Sequence, residues 1–369
     1  MKICFIANDI DSVLNFRRDL LLELKKLGHK VTICVPRKNS KDKTRVGKLG
    51  ASYKEIQLNR TGINPFKDLK TFIELKTFLK HLKPDLVYCF TAKPIIYGSL
   101  AAWWAGVPRR VSMITGLGYV FTGESLKHHL IRFLVCSFFR FSFKFNQKVF
   151  FLNPDDLALF LKLNLVRASQ AVLIPGEGIN HKTFPQTGFP KKTSFLLIAR
   201  LLKDKGILEY VEAAKILNEK FPEVVFKLLG PYDTNPTAIT AKEMRGWQKS
   251  GLIKYLGVTD DVRPFIADTS VYVLPSYREG TPRSVLEAMS MGRPIITTDV
   301  PGCRETVENG RNGFLIPVRN AQALADAMRQ FILRPALAKR MGSQSREIAE
   351  KKYDVNKVNH IILNTLLNP

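Results

Sequence analysis

The strongest constraint on the fold is an alternation of strand-like and helix-like segments that runs through the first half of the chain and again through the second. Lys2–Ala7 is a short apolar run rich in β-formers. A helical pattern follows, with Leu14, Leu20, Leu21, Leu24 and Leu27 at three- and four-residue spacings. Gly28 then stands where a helix end favours left-handed backbone. Val31–Val35, Leu86–Phe90, Val111–Ile114 and Val149–Leu152 are further apolar runs, with helical stretches between them. The second half repeats the scheme with strands at Phe195–Ala199, Val224–Leu229, Ile253–Leu256, Val271–Leu274 and Ile295–Thr297. Its helices fall at Gly206–Lys220, Ser284–Met291 and Ala321–Phe331. This alternation predicts parallel α/β sheets. Pro175–Pro190 contains three prolines and three glycines and reads as a linker, and 369 residues suit two domains. The expectation is two doubly wound domains facing a cleft, over 1–185 and 190–350, with a helix over 351–369 returning to the first.

Charge narrows the partners. The chain carries 57 Lys+Arg against 32 Asp+Glu, a formal +25, and residues 1–190 hold 30 of those cations but only 13 of the acids. A hydrophobic content of 45% excludes a disordered chain. The charge-free stretch Pro94–Pro108 is shorter than the roughly 18 apolar residues of a membrane span, and no secretory signal is readable at the start. Nucleic acid, an anionic membrane face and phosphorylated substrates each fit a basic surface. The five cysteines form no CxxC pair and the histidines no ligand spacing, so no metal site is expected.

The most informative segment is Tyr277-Arg278-Glu279-Gly280-Thr281-Pro282-Arg283-Ser284-Val285-Leu286-Glu287-Ala288-Met289. It leaves the strand Val271–Leu274 through Pro275-Ser276 and enters a helix, with Pro282 suited to a first-turn position. That places a helix N-terminus at the carboxyl end of a parallel strand, where open α/β sheets bind ligands and backbone N–H groups receive anions. Glu279 before the helix and Glu287 within it can reach different parts of one extended ligand. Taken alone, the pair equally suits a helix-start acid and an ordinary helix residue.

The wording around the pair resolves this. Glu-x7-Glu in EGTPRSVLEAM, then Gly292-Arg293-Pro294-Ile295 and Pro301-Gly302-Cys303-Arg304-Glu305, resembles the signature of retaining glycosyltransferases of family 4, which have the GT-B fold of two Rossmann-like domains. Ala199–Gly206 is similar to that family's loop after the first donor-domain strand, and Asn309–Leu315 to its NG..G.L turn. The resemblance implies that Arg200 and Lys205 clamp the donor's diphosphate, where charge grows as the glycosidic bond breaks. It implies that Glu279 contacts the transferred sugar and Glu287 the ribose. Gly280, Thr281, Pro282 and Ser284 would lie near the β-phosphate and sugar, and Gly230, Pro231, Gly257 and Val258 along the base and ribose. It further implies front-face attack with retention and no bound metal. Asp9-Ile10-Asp11 spells DxD, but Asp11 reads as a helix-start residue.

The first half is similar to a narrower group of bacterial enzymes, N-acetylgalactosaminyltransferases among them, that extend sugars on undecaprenyl diphosphate. The shared wording includes Asn15-Phe16-Arg17, Asn64-Pro65-Phe66, Gly116-Leu117-Gly118 and Ser142–Phe145. This implies transfer of a hexose or N-acetylhexosamine from a nucleotide sugar, UDP-linked by family habit, to a polyprenyl-diphosphate saccharide in capsule, O-antigen or N-glycan assembly. Asn15, Arg17, Thr115 and Gly116 would face the acceptor; the histidine that many members carry near Thr115 is absent. Leu126–Phe145 reads as a basic, aromatic helix, with Lys127, Arg132, Arg140 and Lys144 among six phenylalanines. That pattern suits an anionic membrane face, with the alternative that the phenylalanines pack inward. The protein is then expected on the inner face of a bacterial plasma membrane. A GT-B-like sugar-nucleotide epimerase and a nucleic-acid binder are the rival readings; no nucleic-acid module is recognisable.

Overall fold

The computed structural model describes residues 1–58, 65–117, 121 and 126–367, so that Asn64, Gly118 and Glu124 lie outside the described residues, as does the side chain of Lys127. The chain divides into two compact units, Met1–Glu177 with Val355–Pro369, and Gly178–Asp354. The crossings therefore fall at 177/178 and 354/355 instead of within 185–190 and at 351. The reason lies in packing: Ile179 and Phe184, inside the proline-rich segment, are buried in the second unit's core. The Ile179 N–H also donates to the Tyr353 carbonyl at 2.7 Å.

The first unit is built on β1 (Lys2–Ile6), β2 (Lys30–Val35), β3 (Ser52–Glu55), β4 (Leu86–Phe90), β5 (Arg109–Ile114), β6 (Lys148–Phe151) and β7 (Ala171–Leu173). Their order is β3-β2-β1-β4-β5-β6-β7, all parallel. The second unit contains β8 (Ser194–Ile198), β9 (Val225–Leu229), β10 (Lys254–Tyr255), β11 (Val271–Leu274), β12 (Ile295–Thr298) and β13 (Gly313–Ile316). Their order is β10-β9-β8-β11-β12-β13, again all parallel. In both sheets the order reverses between the first strand and the fourth. Every residue of β4 and β11 is buried, as expected of central parallel strands covered on both faces.

Three strands have no counterpart in the sequence pattern. β3 reads Ser-Tyr-Lys-Glu with no fully buried residue, β7 has three residues, and β13 opens on the glycine of a turn motif. All lie at sheet edges, where one side is solvated and the apolar signal is weak. The first helical pattern is two helices, Ile10–Phe16 and Arg18–Lys26, broken at Arg17. Asp9, and not Asp11, caps the first: its Oδ2 accepts from the Ser12 N–H at 2.9 Å.

The helix Leu126–Phe143 serves both readings of its phenylalanines. Phe139 and Phe143 are buried and stacked, with Phe160 beside them, whereas Phe133, Phe138 and Phe141 are exposed. At the chain's end, the helix Val355–Leu367 places Val358, Ile362, Leu363 and Leu366 in the first unit's core. Leu366→Ala should therefore cost about 2–5 kcal/mol in urea unfolding, and Ile361→Ala, on the solvent side, under about 0.5 kcal/mol. Equal losses would contradict this placement.

Candidate active site

The order reversal between β8 and β11 decides which loops meet. Loops at the carboxyl ends of adjacent strands that connect in opposite directions leave a crevice between them. The β8 loop carries Arg200 and Lys205, and the β11 loop carries Glu279. Lys205 Nζ lies 2.5 Å from Glu279 Oε1, and Ser276 Oγ donates to the same oxygen at 2.8 Å. Both charged side chains are largely buried, 20% and 14% exposed. The Tyr277 N–H donates to the Asp204 carbonyl at 2.9 Å, stitching the two loops together.

Two glycines make that approach possible. Gly206 has φ +72°, and a Cβ there would stand 2.1 Å from the Pro275 carbonyl oxygen. Gly302 has φ +82°, and its Cβ would stand 2.2 Å from the Glu279 carbonyl oxygen. The Glu279 N–H donates to the Pro301 carbonyl at 3.1 Å. Glu279 is thus held by its own backbone, by Ser276 and by Lys205.

Arg200 donates through Nη1 to Asp233 Oδ2 at 2.6 Å. Asp233 belongs to the loop after β9, and its Oδ1 accepts from the Asn235 N–H at 2.9 Å. The Lys203 N–H in turn donates to the Thr237 carbonyl at 2.8 Å, so this loop and the β8 loop are joined. Nearby, the Gly230 N–H donates to the Gly257 carbonyl and the Tyr255 hydroxyl to the Gly230 carbonyl, each at 2.9 Å. This brings Gly230-Pro231 and Gly257-Val258 together, with Val258 and Tyr232 exposed.

The helix Arg283–Ser290 starts one residue later than a first-turn Pro282 implies, and Pro282 is its N-cap with extended backbone. Thr281 Oγ1 donates to the Gly280 carbonyl and Ser284 Oγ to that of Ile198, which keeps this turn against the end of β8. Glu287, one turn on, accepts from Arg283 Nε at 3.2 Å, and both side chains are 14% exposed. Burial pushes the Glu287 carboxyl above its ordinary range; Arg283 opposes that rise and Asp261 adds to it.

The first unit places its candidates differently. Asn15 is exposed, Thr115 half-buried, and Gly116 exposed just past β5. Arg17 is 4% exposed and pairs with Glu177 at 2.6 Å. Its guanidinium also donates to the Ser12 carbonyl and lies 4.0 Å from the Phe90 ring centroid. It is therefore an internal strut that fixes the residue at which the chain first leaves the first unit, not a group presented to solvent. Arg17→Met removes one partner of a buried ion pair. We expect a loss of about 3–5 kcal/mol in urea unfolding; unchanged stability would return Arg17 to the binding surface.

Asp11 is engaged by Lys38 and by Arg45, the latter at 2.7 Å. Among the described residues no three His, Cys, Asp or Glu side chains gather as a metal-ligand group. Asp233, Ser276 and Arg283 are the polar residues that sequence reasoning missed. Arg283 alone was legible, four residues before Glu287 on one helix face.

The chain resembles known proteins along its length. Residues 180–348 match the family described as glycosyl transferases group 1, and residues 2–153 match glycosyl transferase 4-like. The N,N'-diacetylbacillosaminyl-diphospho-undecaprenol alpha-1,3-N-acetylgalactosaminyltransferase of Campylobacter jejuni is 32% identical over 340 residues, 88% of each chain. The UDP-Gal:alpha-D-GlcNAc-diphosphoundecaprenol alpha-1,3-galactosyltransferase of Escherichia coli is 29% identical over 282 residues, 72% of this chain and 71% of that one. In fold, the crystal structure of Anabaena HepE in complex with UDP and glucose superposes with a TM-score of 0.80 at 19% identity, covering 100% of both chains. With two parallel sheets, paired acids eight residues apart and a relative at this identity over most of its length, the chain belongs to the group 1 glycosyl transferases and is a GT-B glycosyltransferase.

Proposed function

We propose that this enzyme moves a hexose or N-acetylhexosamine from a UDP-sugar to a polyprenyl-diphosphate-linked saccharide, with retention at the anomeric carbon. The observation that carries the donor half is the Lys205–Glu279 pair where the β8 and β11 loops meet. The acceptor half rests on the undecaprenyl-diphosphate substrates named for the two relatives.

Without donor, each cation has a carboxylate partner: Lys205 has Glu279 and Arg200 has Asp233. A diphosphate entering this crevice draws both cations to itself, Arg200 as a fork and Lys205 as a point charge. Glu279 is then free to accept from sugar hydroxyls while Ser276 still fixes its Oε1. Glu287 accepts from the ribose, and Gly230-Pro231 with Gly257-Val258 lines the base. In the transfer, the bond from the anomeric carbon to the β-phosphate oxygen breaks as the acceptor hydroxyl oxygen attacks from the same face. Its proton passes to the departing phosphate, giving UDP and the glycosylated acceptor. The clamp acts because charge on that phosphate is greatest in the transition state. No step needs a metal or a carboxylate nucleophile.

Asn15, Thr115 and Gly116 are the acceptor-side groups in this reading. A membrane face of the first unit would bring the enzyme to its lipid-linked acceptor. Its support is a set of exposed apolar side chains on neighbouring helices: Phe133, Phe138 and Phe141, with Trp103, Trp104 and Phe66. Arg140 and Lys144 lie among them, exposed, although Arg140 also donates to the Leu163 carbonyl at 2.8 Å. No helix among the described residues is long and apolar enough to cross a membrane. In this reading the enzyme works as a peripheral protein on the inner face of the plasma membrane.

Lys205→Ala and Glu279→Gln should each lower kcat by at least about 100-fold with circular dichroism unchanged. Near-normal turnover in either would overturn the site. Joint Phe138→Ser and Phe141→Ser exchange should cut sedimentation with anionic vesicles severalfold while leaving UDP binding intact; unchanged sedimentation would move the docking face elsewhere. Turnover should survive EDTA. Loss restored by Mn²⁺ would bring Asp9 and Asp11 back into the chemistry.

A further inference from the structure

Arg283 is the one cation of the Glu279–Glu287 segment that the transfer chemistry leaves without a task and whose contacts are fully drawn inward. Nε donates to Glu287 Oε1 at 3.2 Å, and Nη1 donates to the Gly178 carbonyl at 2.6 Å. The guanidinium carbon lies 6.0 Å from the Phe184 ring centroid. Only 14% of the side chain is exposed.

We infer that Arg283 is a positioning residue for the nucleotide: it locks the Glu287 carboxylate toward the ribose by bracing it against the Gly178 backbone. The inference rests on the reading of Glu287 as the ribose acceptor. Three observations carry it. First, Gly178 opens the second unit, and the group that braces Arg283 is its main-chain carbonyl and not a mobile side chain. Second, Arg17 holds the preceding residue, Glu177, at 2.6 Å, so arginines grip both residues of the crossing. Third, Arg283 engages one carboxylate oxygen, leaving the other to accept from a hydroxyl. A glutamate held this way has already lost the rotamer freedom that binding would otherwise have to remove. Arg283 also opposes the rise that burial imposes on the Glu287 carboxyl.

The test compares UDP with 2′,3′-dideoxy-UDP, which lacks both ribose hydroxyls, by titration calorimetry. The native enzyme should prefer UDP by a factor on the order of 100, as hydrogen bonds to a charged group imply. In Arg283→Met, UDP affinity should fall at least about tenfold while dideoxy-UDP affinity stays within about threefold, narrowing the preference. Arg283→Lys should recover part of it. Equal losses for both nucleotides would overturn the inference and leave the Glu287 reading standing. No preference in the native enzyme would instead overturn the Glu287 reading. Should Arg283→Met not fold, Arg283→Gln gives the same comparison, and an undiminished preference there overturns the inference.

Discussion

The candidate donor site is built on one ion pair that joins the loops of two adjacent strands of the second unit. Lys205 and Glu279 are 74 residues apart, and they meet because β8 and β11 are neighbours while their chain connections run in opposite directions. Burying two charges is costly unless geometry and further hydrogen bonds compensate. Here the Ser276 hydroxyl supplies a further hydrogen bond to the carboxylate, the Glu279 N–H fixes the backbone through the Pro301 carbonyl, and the two left-handed glycines let the loops close. An uncharged filling of the same crevice would be easier to bury. A pair of opposite charges that a diphosphate can split is the more useful arrangement for a donor site.

Much of this was legible in the sequence, for physical reasons that differ by element. Central parallel strands such as Leu86–Phe90 and Val271–Leu274 are buried on both faces and therefore read as unbroken apolar runs. The edge strand Ser52–Glu55 has no such signature, and no local reading finds it. The helix break at Arg17 was hidden because Leu14, Leu21 and Leu24 keep a helical spacing across it, while Arg17 itself turns inward to pair with Glu177, 160 residues away. The Pro- and Gly-rich segment reads as a linker by composition, yet Ile179 and Phe184 belong to a core.

The site shows the same division. Glu279, Glu287, Arg200 and Lys205 stand out through the spacing and wording of two segments. Asp233 does not, since only the sheet order brings it to Arg200, and Ser276, three residues before Glu279, carries no distinguishing signal of its own. Arg17, a conspicuous cation in a family-like segment, is drawn inside the first unit against Glu177, which its position in the sequence does not reveal. The exposed aromatics follow this pattern too. Sequence pointed to the cations of Leu126–Phe145, whereas Trp103 and Trp104 join the surface from a separate helix, with Trp103 stacked on Phe145 at 4.1 Å.

The central claim is that Arg200 and Lys205 hold the donor through its second phosphate, and one measurement reaches it most directly. UDP and UMP titrated into the enzyme, and into Arg200→Met, Lys205→Met, isolate the contribution of the β-phosphate to binding. UDP should bind far more tightly than UMP to the native enzyme, and this gap should close in the double variant while UMP affinity barely moves. Equal affinities for the two nucleotides in the native enzyme, or a gap that survives both substitutions, would contradict it.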